Sequence, residues 1–174
     1  SFEESAAIPL AGLTAYQALV EAGELQKGQT VLIPAAAGGV GHLAIQLAKN
    51  AGACVIGTAS QANHDFVKEL GADIMIDYHD EDVNSAVKAE CPDGVDLVFD
   101  CVGGNVTEQS VEVLADNGRL VTIVSFTEID DLKEKGIDAR SVFVRPDREQ
   151  LDRLSEMSEN NKLRVHIEKS FPLD

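Results

Sequence analysis

Positive charge is scarce in this sequence. Fourteen Lys and Arg stand against 30 Asp and Glu, a formal net charge of −16. No basic stripe offsets that balance, so a nucleic-acid partner is excluded on charge repulsion. Long hydrophobic runs are also missing. None reaches the roughly 18 residues that a membrane span needs, and no signal-peptide pattern opens the chain, so no membrane partner is expected. Cysteine is sparse: Cys54, Cys91 and Cys101 make an odd number without a CxxC pair. A disulfide framework and a Cys-rich zinc site are therefore not expected. Cys54 and Cys101 lie in apolar strand-like runs and read as buried thiols, which suits a reducing cytoplasm. The four histidines, His42, His64, His79 and His166, are scattered without metal-ligand spacing, and no metal is predicted. An initial Met is lacking too. The chain opens SFEESAAIPL and closes FPLD, and both ends read as cuts in a longer protein.

The remaining composition, 44% hydrophobic and 25% charged over 174 residues, fits one globular domain with a sizeable core. Charge is uneven along it. Residues 1–60 carry four acids (Glu3, Glu4, Glu21, Glu24) and two lysines (Lys27, Lys49), a net −2, which leaves −14 for the rest. The nearly uncharged first third is what a buried strand and a pocket wall would produce. The acidic remainder reads as solvated surface.

Apolar runs alternate with helical patterns. TVLIPA (30–35) reads as a first strand, and GVGHLAIQLAKNAG as a helix with apolar positions every three or four residues. Further strands are predicted at 53–59, 73–77, 95–102, 118–125 and 141–145. Helices are predicted over 64–70, 80–90, 106–115 and 147–160. LAGLTAYQALVEAG (10–23) reads as an additional helix packed on the sheet, and 127–140 as an exposed connection with a short helix. Val, Ile and Leu dominate the strands, as expected when both faces are covered. The plan is α/β: a doubly wound parallel six-stranded sheet (a Rossmann fold), one domain over residues 1–174.

Between the first strand and its helix lies the turn AAAGGVG. A dinucleotide's pyrophosphate is held best at a helix N-terminus, where unpaired N–H groups and the helix dipole meet it. G-x-G-x-x-G places glycines for the tight turn, the phosphate approach and helix–strand packing. Here the register is Ala36-x-Gly38-x-x-Gly41. The second and third glycines are kept and Gly39 adds freedom. Ala36 implies negative φ there or a turn that differs slightly from the usual one. Ala37, Gly38, Gly39, Val40 and Gly41 are the predicted pyrophosphate contacts. A tight glycine turn without ligand is the plain alternative.

NAD-specific sites carry an acid about 20 residues further on, at the end of the second strand. Here that position is Thr58, and no carboxylate occurs before Asp65. A 2′-phosphate would not be repelled, and Ser60 and Asn63 could donate to it. This favours NADP, hence NADPH as cofactor, over NAD. No Arg follows the strand; His64 and Lys68 are the only cations nearby.

IPLAGLTAYQAL, AAAGGVGHLAIQLAK, GTASQANHDFVKELGAD, MIDY and VDLVFDCVGG together resemble the cofactor domain of zinc-independent medium-chain dehydrogenases/reductases, in the quinone oxidoreductase (zeta-crystallin-like) branch. The resemblance runs from about Ser5 to the end and is most specific before Gly104. It implies a GroES-like catalytic domain of roughly a hundred residues upstream and a short return segment downstream. Where zinc-dependent relatives have a cysteine ligand, this sequence has Leu10, which has no lone pair to give to zinc. Pro34 and Ala35 replace the branch's commoner His-Gly pair. The resemblance further implies that Thr14 lies near the nicotinamide or its ribose, Tyr78 near the adenosine phosphate, and Ser125 and Phe126 on the nicotinamide side. Cys101, Val102 and Gly103 end the fourth strand, at the carboxyl edge where ligands sit. Each has an ordinary reading as well: a helix threonine, a surface tyrosine, a Gly-Gly turn into the next helix. Asp100 reads as a strand-end carboxylate that orders its loop.

The implied activity is NADPH-dependent reduction of a quinone or an α,β-unsaturated carbonyl by hydride transfer. Catalytic residues would lie mostly in the upstream domain, and none is assigned here. The rival readings are a non-catalytic dinucleotide-sensing module and a zinc-type alcohol dehydrogenase. SVFVR reads as an edge strand that would join two copies into a homodimer, unless Arg145 and Pro146 blunt it.

Overall fold

A computed structural model describes residues 1–124, 126 and 129–172. Six parallel strands form one sheet in the order β3-β2-β1-β4-β5-β6. They are β1 (Thr30–Ile33), β2 (Cys54–Thr58), β3 (Ile74–Ile76), β4 (Val95–Asp100), β5 (Leu114–Thr122) and β6 (Asp138–Ser141). The order reverses between β1 and β4, which makes their carboxyl ends the switch point where such sheets bind ligands. The Rossmann-like plan expected from the sequence is the observed one.

The helices are α1 (Phe2–Ala7), α2 (Pro9–Tyr16), α3 (Gly41–Asn50), α4 (His64–Glu69), α5 (Val83–Glu90), α6 (Asn105–Ser110), α7 (Ile129–Glu134) and α8 (Arg148–Glu159). Two apolar cores follow from the winding. One face of the sheet buries Val31, Ile33, Val55, Leu97 and Phe99 with residues of α2, α3, α4 and α8. The other buries Leu32, Ile56, Ile76 and Val98 with Val87 of α5 and Leu132 of α7. Alternate residues of β1 thus enter opposite cores, as period-2 side chains covered on both sides must.

Four expectations need correction. The N-terminal helix is not one piece: after Tyr16 the chain widens into a π-helical stretch, Gln17–Ala22. The Ala22 carbonyl accepts from Arg140 Nη1 at 2.9 Å and the Gly23 carbonyl from Arg119 Nη1 at 2.9 Å, so two guanidinium groups satisfy its frayed end. The helix expected over 106–115 stops at Ser110. A 3-10 turn (Val111–Val113) follows, and β5 starts at Leu114. The sixth strand is Asp138–Ser141, not 141–145. Its register sets Asp138 opposite Arg119, with a 2.7 Å Nε–Oδ2 bond between them. As whole residues Cys54 and Cys101 are half-buried, although the Cys101 thiol itself is largely withdrawn from water. Helix α1 lies outside every expected element. It starts with a capping box, the Ser1 hydroxyl accepting from Glu4 N–H while the Glu4 side chain reaches back.

Two glutamines fasten α8. Gln17 donates to Arg145 O (2.8 Å) and accepts from Arg145 N–H (3.1 Å), just before the helix. Gln46 of α3 does the same to Arg164, at 2.8 and 2.7 Å, just after it. Each amide copies one rung of a β-ladder and pairs both backbone groups of the residue it holds.

Candidate functional site

Strand β1 ends at Ile33, and the chain turns through residues 34–40 into α3. Ala36 N–H donates to Thr58 O (2.9 Å), tying the turn to the end of β2, and Gly38 N–H closes it onto Ala35 O (2.9 Å). Positive φ falls at Ala35 (53°) and not at Ala36. The left-handed residue is thus one position before the missing first glycine. Ala36 is wholly buried, and its methyl fills space that Gly57 leaves open: a Cβ on Gly57 would stand 2.9 Å from it and 3.0 Å from Met75 Sδ. The glycine has in effect moved from the turn to the facing strand.

The remaining glycines divide the work. A Cβ on Gly41 would run into Ala35 O and lie 2.9 Å from Ala36 Cα, so α3 packs directly on the turn backbone. A Cβ on Gly38 would lie 3.1 Å from Ala35 O, and one on Gly39 would meet nothing within 4 Å. No side chain caps the N-terminus of α3. Bare amides, absent side chains and an uncapped helix of ten residues suit a pyrophosphate.

Beside this turn opens a cleft of about 1030 Å³. Pro34, Ala35, Ala37, Gly38, Thr58, Ser60, Asn63, Tyr78 and Val102 line it, and seven of these are expected cofactor residues. Gly39, Val40 and Gly41 stand at the adjacent helix end. Cys101 and Gly103 lie behind Val102 in the turn after β4. Phe126 is half-exposed beside Phe143, ring centroids 6.4 Å apart, away from the cleft lining. Thr14 is buried in α2 with Oγ1 donating to Leu10 O (2.7 Å), and it does not line the cleft. Ser125 lies outside the described residues.

At the β2 end, Asn63 Nδ2 donates to Ser60 Oγ (3.2 Å). His64 is buried, its Nε2 on Ala59 O at 3.1 Å, and it does not line the cleft. Asp77 accepts from His79 N–H (2.9 Å) and Gln61 N–H (2.8 Å); those amides hold its carboxyl below the usual range and fix the loop after β2. At the β4 end, fully buried Asp100 accepts from Val102 and Gly103 N–H, both at 2.9 Å, through Oδ1. Its Oδ2 accepts from Thr107 Oγ1 (2.6 Å) and Thr122 Oγ1 (2.9 Å). It orders the turn and is not available as a catalytic acid. Burial pushes the Cys101 thiol up to about 12, which removes it as a nucleophile near neutral pH.

The far wall of the cleft went unforeseen. Helix α5 and the α6 region contribute Asn84, Ser85, Lys88, Gln109 and Glu112. Among the described residues Lys88 is the one Lys or Arg that lines the cleft. The acids there are engaged: Glu81 accepts from Asp77 N–H, Asp82 caps α5 through Ser85 N–H, and Glu112 accepts from Asn84 Nδ2. No sequence motif marks this wall; the crossovers after β3 and β4 bring it over the cleft.

Among the described residues no three His, Cys, Asp or Glu side chains are grouped to hold a metal ion, and Leu10 is largely exposed. No helix among them is long and apolar enough to cross a membrane.

This arrangement recurs in known proteins. A solved quinone oxidoreductase from Coxiella burnetii superposes with a TM-score of 0.90 at 44% identity, covering 97% of this chain and 52% of that one. Prostaglandin reductase-3 of Bos taurus is 46% identical over 115 residues, 66% of this chain and 30% of its own length. A probable quinone oxidoreductase of Leishmania amazonensis is 40% identical over 126 residues, 71% of this chain and 37% of its own. The match thus spans about a third of these curated relatives. The profile of the family described as zinc-binding dehydrogenase covers residues 39–156, from the second half of the glycine turn into α8. With that profile over most of the sheet, and the glycine turn and switch-point cleft in place, the chain belongs to the zinc-binding dehydrogenase family, as a dinucleotide-binding domain of the medium-chain quinone oxidoreductase kind.

Proposed function

We propose that this chain is the cofactor domain of an NADPH-dependent reductase that delivers hydride to a quinone or an α,β-unsaturated carbonyl without zinc. The observation that carries the reading is the β2 end of the cleft. It offers Thr58, Ser60 and Asn63 and no carboxylate to a ribose 2′ position, while the glycine turn beside it leaves room for the pyrophosphate. The residues fit the cofactor by shape: a Cβ at Gly39, beside the uncapped α3 N-terminus, would meet nothing within 4 Å, so the turn keeps side-chain-free space for a phosphate.

When bound, the nicotinamide would supply the hydride. The work of this chain is to bind and orient. The α3 N-terminus takes the pyrophosphate, the loop fixed by Asp77 presents Ser60 and Asn63, and the turn fixed by Asp100 sets Val102 against the cleft. Rigid placement of this kind is the larger part of catalysis when the chemistry belongs to a cofactor. Groups that touch the acceptor carbonyl, and the acceptor's identity, belong to the whole protein. It is proposed to act in the cytoplasm as a homodimer. β6 ends the sheet with one free edge, and Phe143 stands 88% exposed just beyond it.

Calorimetric titration of the intact protein with NADPH and NADH tests the reading. NADPH tighter by about tenfold or more supports it. Equal affinities overturn the preference, and no binding of either overturns the dinucleotide site.

A further inference from the structure

His42 is the second residue of α3 and is 5% exposed. Both its ring nitrogens are committed. Nδ1 lies 2.9 Å from Gly38 O, inside the glycine turn, and a carbonyl only accepts, so Nδ1 carries a proton. Nε2 lies 3.4 Å from His166 N, whose N–H only donates, so Nε2 must be bare. The two bonds together specify one neutral tautomer. They also join two parts of the molecule far apart in sequence: the turn that takes the pyrophosphate and the segment 162–166 that follows α8.

That segment is laid along α3. Asn50 Nδ2 donates to Lys162 O (2.7 Å), the Gln46 amide brackets Arg164, and His42 receives His166. The His166 ring tilts against Phe66 of α4 at 4.9 Å. One face of α3 thus carries three consecutive holds at positions 42, 46 and 50. Two are amides indifferent to pH, and the one nearest the glycine turn is titratable.

We propose that His42 is a positioning residue for the dinucleotide site. Its neutral ring is a second donor to the Gly38 carbonyl, which the His42 N–H also holds at 3.0 Å, and receives His166, so that cofactor binding and docking of the segment 162–166 support each other and weaken together when Nε2 is protonated. The proposal rests on the glycine turn being a pyrophosphate site. Protonated Nε2 would face the His166 N–H, donor against donor, and the bond would be lost. Burial already holds the His42 pKa below the ordinary histidine value, and the neighbouring His166 adds to that. Other charged groups on the packed elements are Lys49 on α3, Asp65, Lys68 and Glu69 on α4, and Lys162, Arg164 and Glu168 on and beyond the segment. Among all of these, only His166 acts on His42 appreciably. Helix α2, on the other side of α3, has only the Tyr16 phenol, engaged by Arg153. A His that folds neutral with a lowered pKa gives full support above its unfolded value. That support is lost as pH falls below about 6.5 toward the folded value.

His42→Gln and His42→Leu in the intact protein test this. A glutamine amide can donate to Gly38 O and accept from His166 N–H, and it does not titrate; leucine does neither. NADPH affinity and hydrogen exchange of the 163–166 amides, corrected for intrinsic exchange rates, are followed from pH 8 to pH 5.5. At pH 8, His42→Gln is expected within about threefold of the unaltered protein, with the segment protected. His42→Leu is expected about tenfold weaker, with the segment open. On acidification the unaltered protein loses affinity and protection while His42→Gln holds both. All variants meet the same ligand, so titration of its phosphates cancels in the ratio. Parallel pH curves for the unaltered protein and His42→Gln overturn the proposal. So does an unaltered protein that gains affinity in acid relative to His42→Gln. An unaltered protein that binds no dinucleotide fails the site reading instead, and exchange of the segment still reports whether His42 docks it.

Discussion

The turn after β1 and the turn after β4 lie side by side, because their strands are neighbours in the sheet. Under the proposed function both expose backbone to the cofactor and stay rigid. The β1 turn does so by removing side chains: Gly41 brings α3 onto the Ala35 carbonyl, and Gly57 across the way makes space for the Ala36 methyl. The β4 turn does so by adding a charge: the Asp100 carboxylate gathers two amides and two hydroxyls in a fully buried place. Gly103 (φ 87°) and Gly104 (φ 58°) let the backbone wrap around it. The difference suits the task. A fixed carboxylate near a pyrophosphate would repel it, so the turn proposed to take phosphate is built from steric absence. Next door, the carboxylate is held by four donors and is fully buried.

Breaking the first turn should have the largest effect. Gly41→Ala drives a methyl into backbone that cannot give way, and overpacking a core site costs about 1–3 kcal/mol and occasionally more, with the upper end expected where backbone is the obstacle. Denaturant unfolding should show the midpoint fall together with loss of dinucleotide binding. Gly39→Ala sharpens the point, because its methyl meets nothing within 4 Å. Stability should stay within about 0.5 kcal/mol, while calorimetry shows weakened binding from a methyl in the phosphate's path. If both variants lose stability equally, the division between packing glycine and contact glycine is wrong.

Breaking the second turn should cost less and differently. Asp100→Asn keeps the size but turns one acceptor into a donor, facing either two amides or two hydroxyls. One or two buried donors lose their partner, for about 2–3 kcal/mol. Amide exchange at Val102 and Gly103 should rise, with the β1 turn still protected. Unchanged exchange there would mean that the Gly103–Gly104 backbone holds itself.

The contrast also explains what could be read in advance. β1, β2 and β4 announce themselves in Val, Ile and Leu, because strands buried on both faces have no freedom to be polar. β6 (DARS) is an edge strand with one apolar anchor, Ala139, and is stabilised by Arg119 on Asp138; nothing in its composition demands a strand. The glycine turn was legible because its glycines are dictated by contact, and so was the loop-ordering role of Asp100. The α1 capping box stood in plain view at Ser1 and Glu4 and lacked only the apolar run that usually follows. The α5 wall and the His42–His166 bond could not be read, since both depend on a crossover or on partners 124 positions apart. The place of the left-handed residue was also hidden. Ala36 invited the question, and the answer lay with its neighbours on either side, Ala35 in the chain and Gly57 across the sheet.

Ala35 supplies the smallest effect and the finest test of the comparison. At φ 53° an alanine bears a steric cost that glycine does not, roughly 1–2 kcal/mol. Glycine gives part of this back through its greater freedom when unfolded, about 0.5–1 kcal/mol. Ala35→Gly should therefore stabilise the protein by about 0.5–1 kcal/mol. The turn already has its geometry, so dinucleotide affinity should change less than about twofold. A stabilised variant with unaltered affinity would mean that the β1 turn is strained but correctly shaped. A destabilised one would mean that the Ala35 methyl, on the cleft wall, contributes contacts worth more than the strain. The steric account of this turn would then have to include attraction as well as absence.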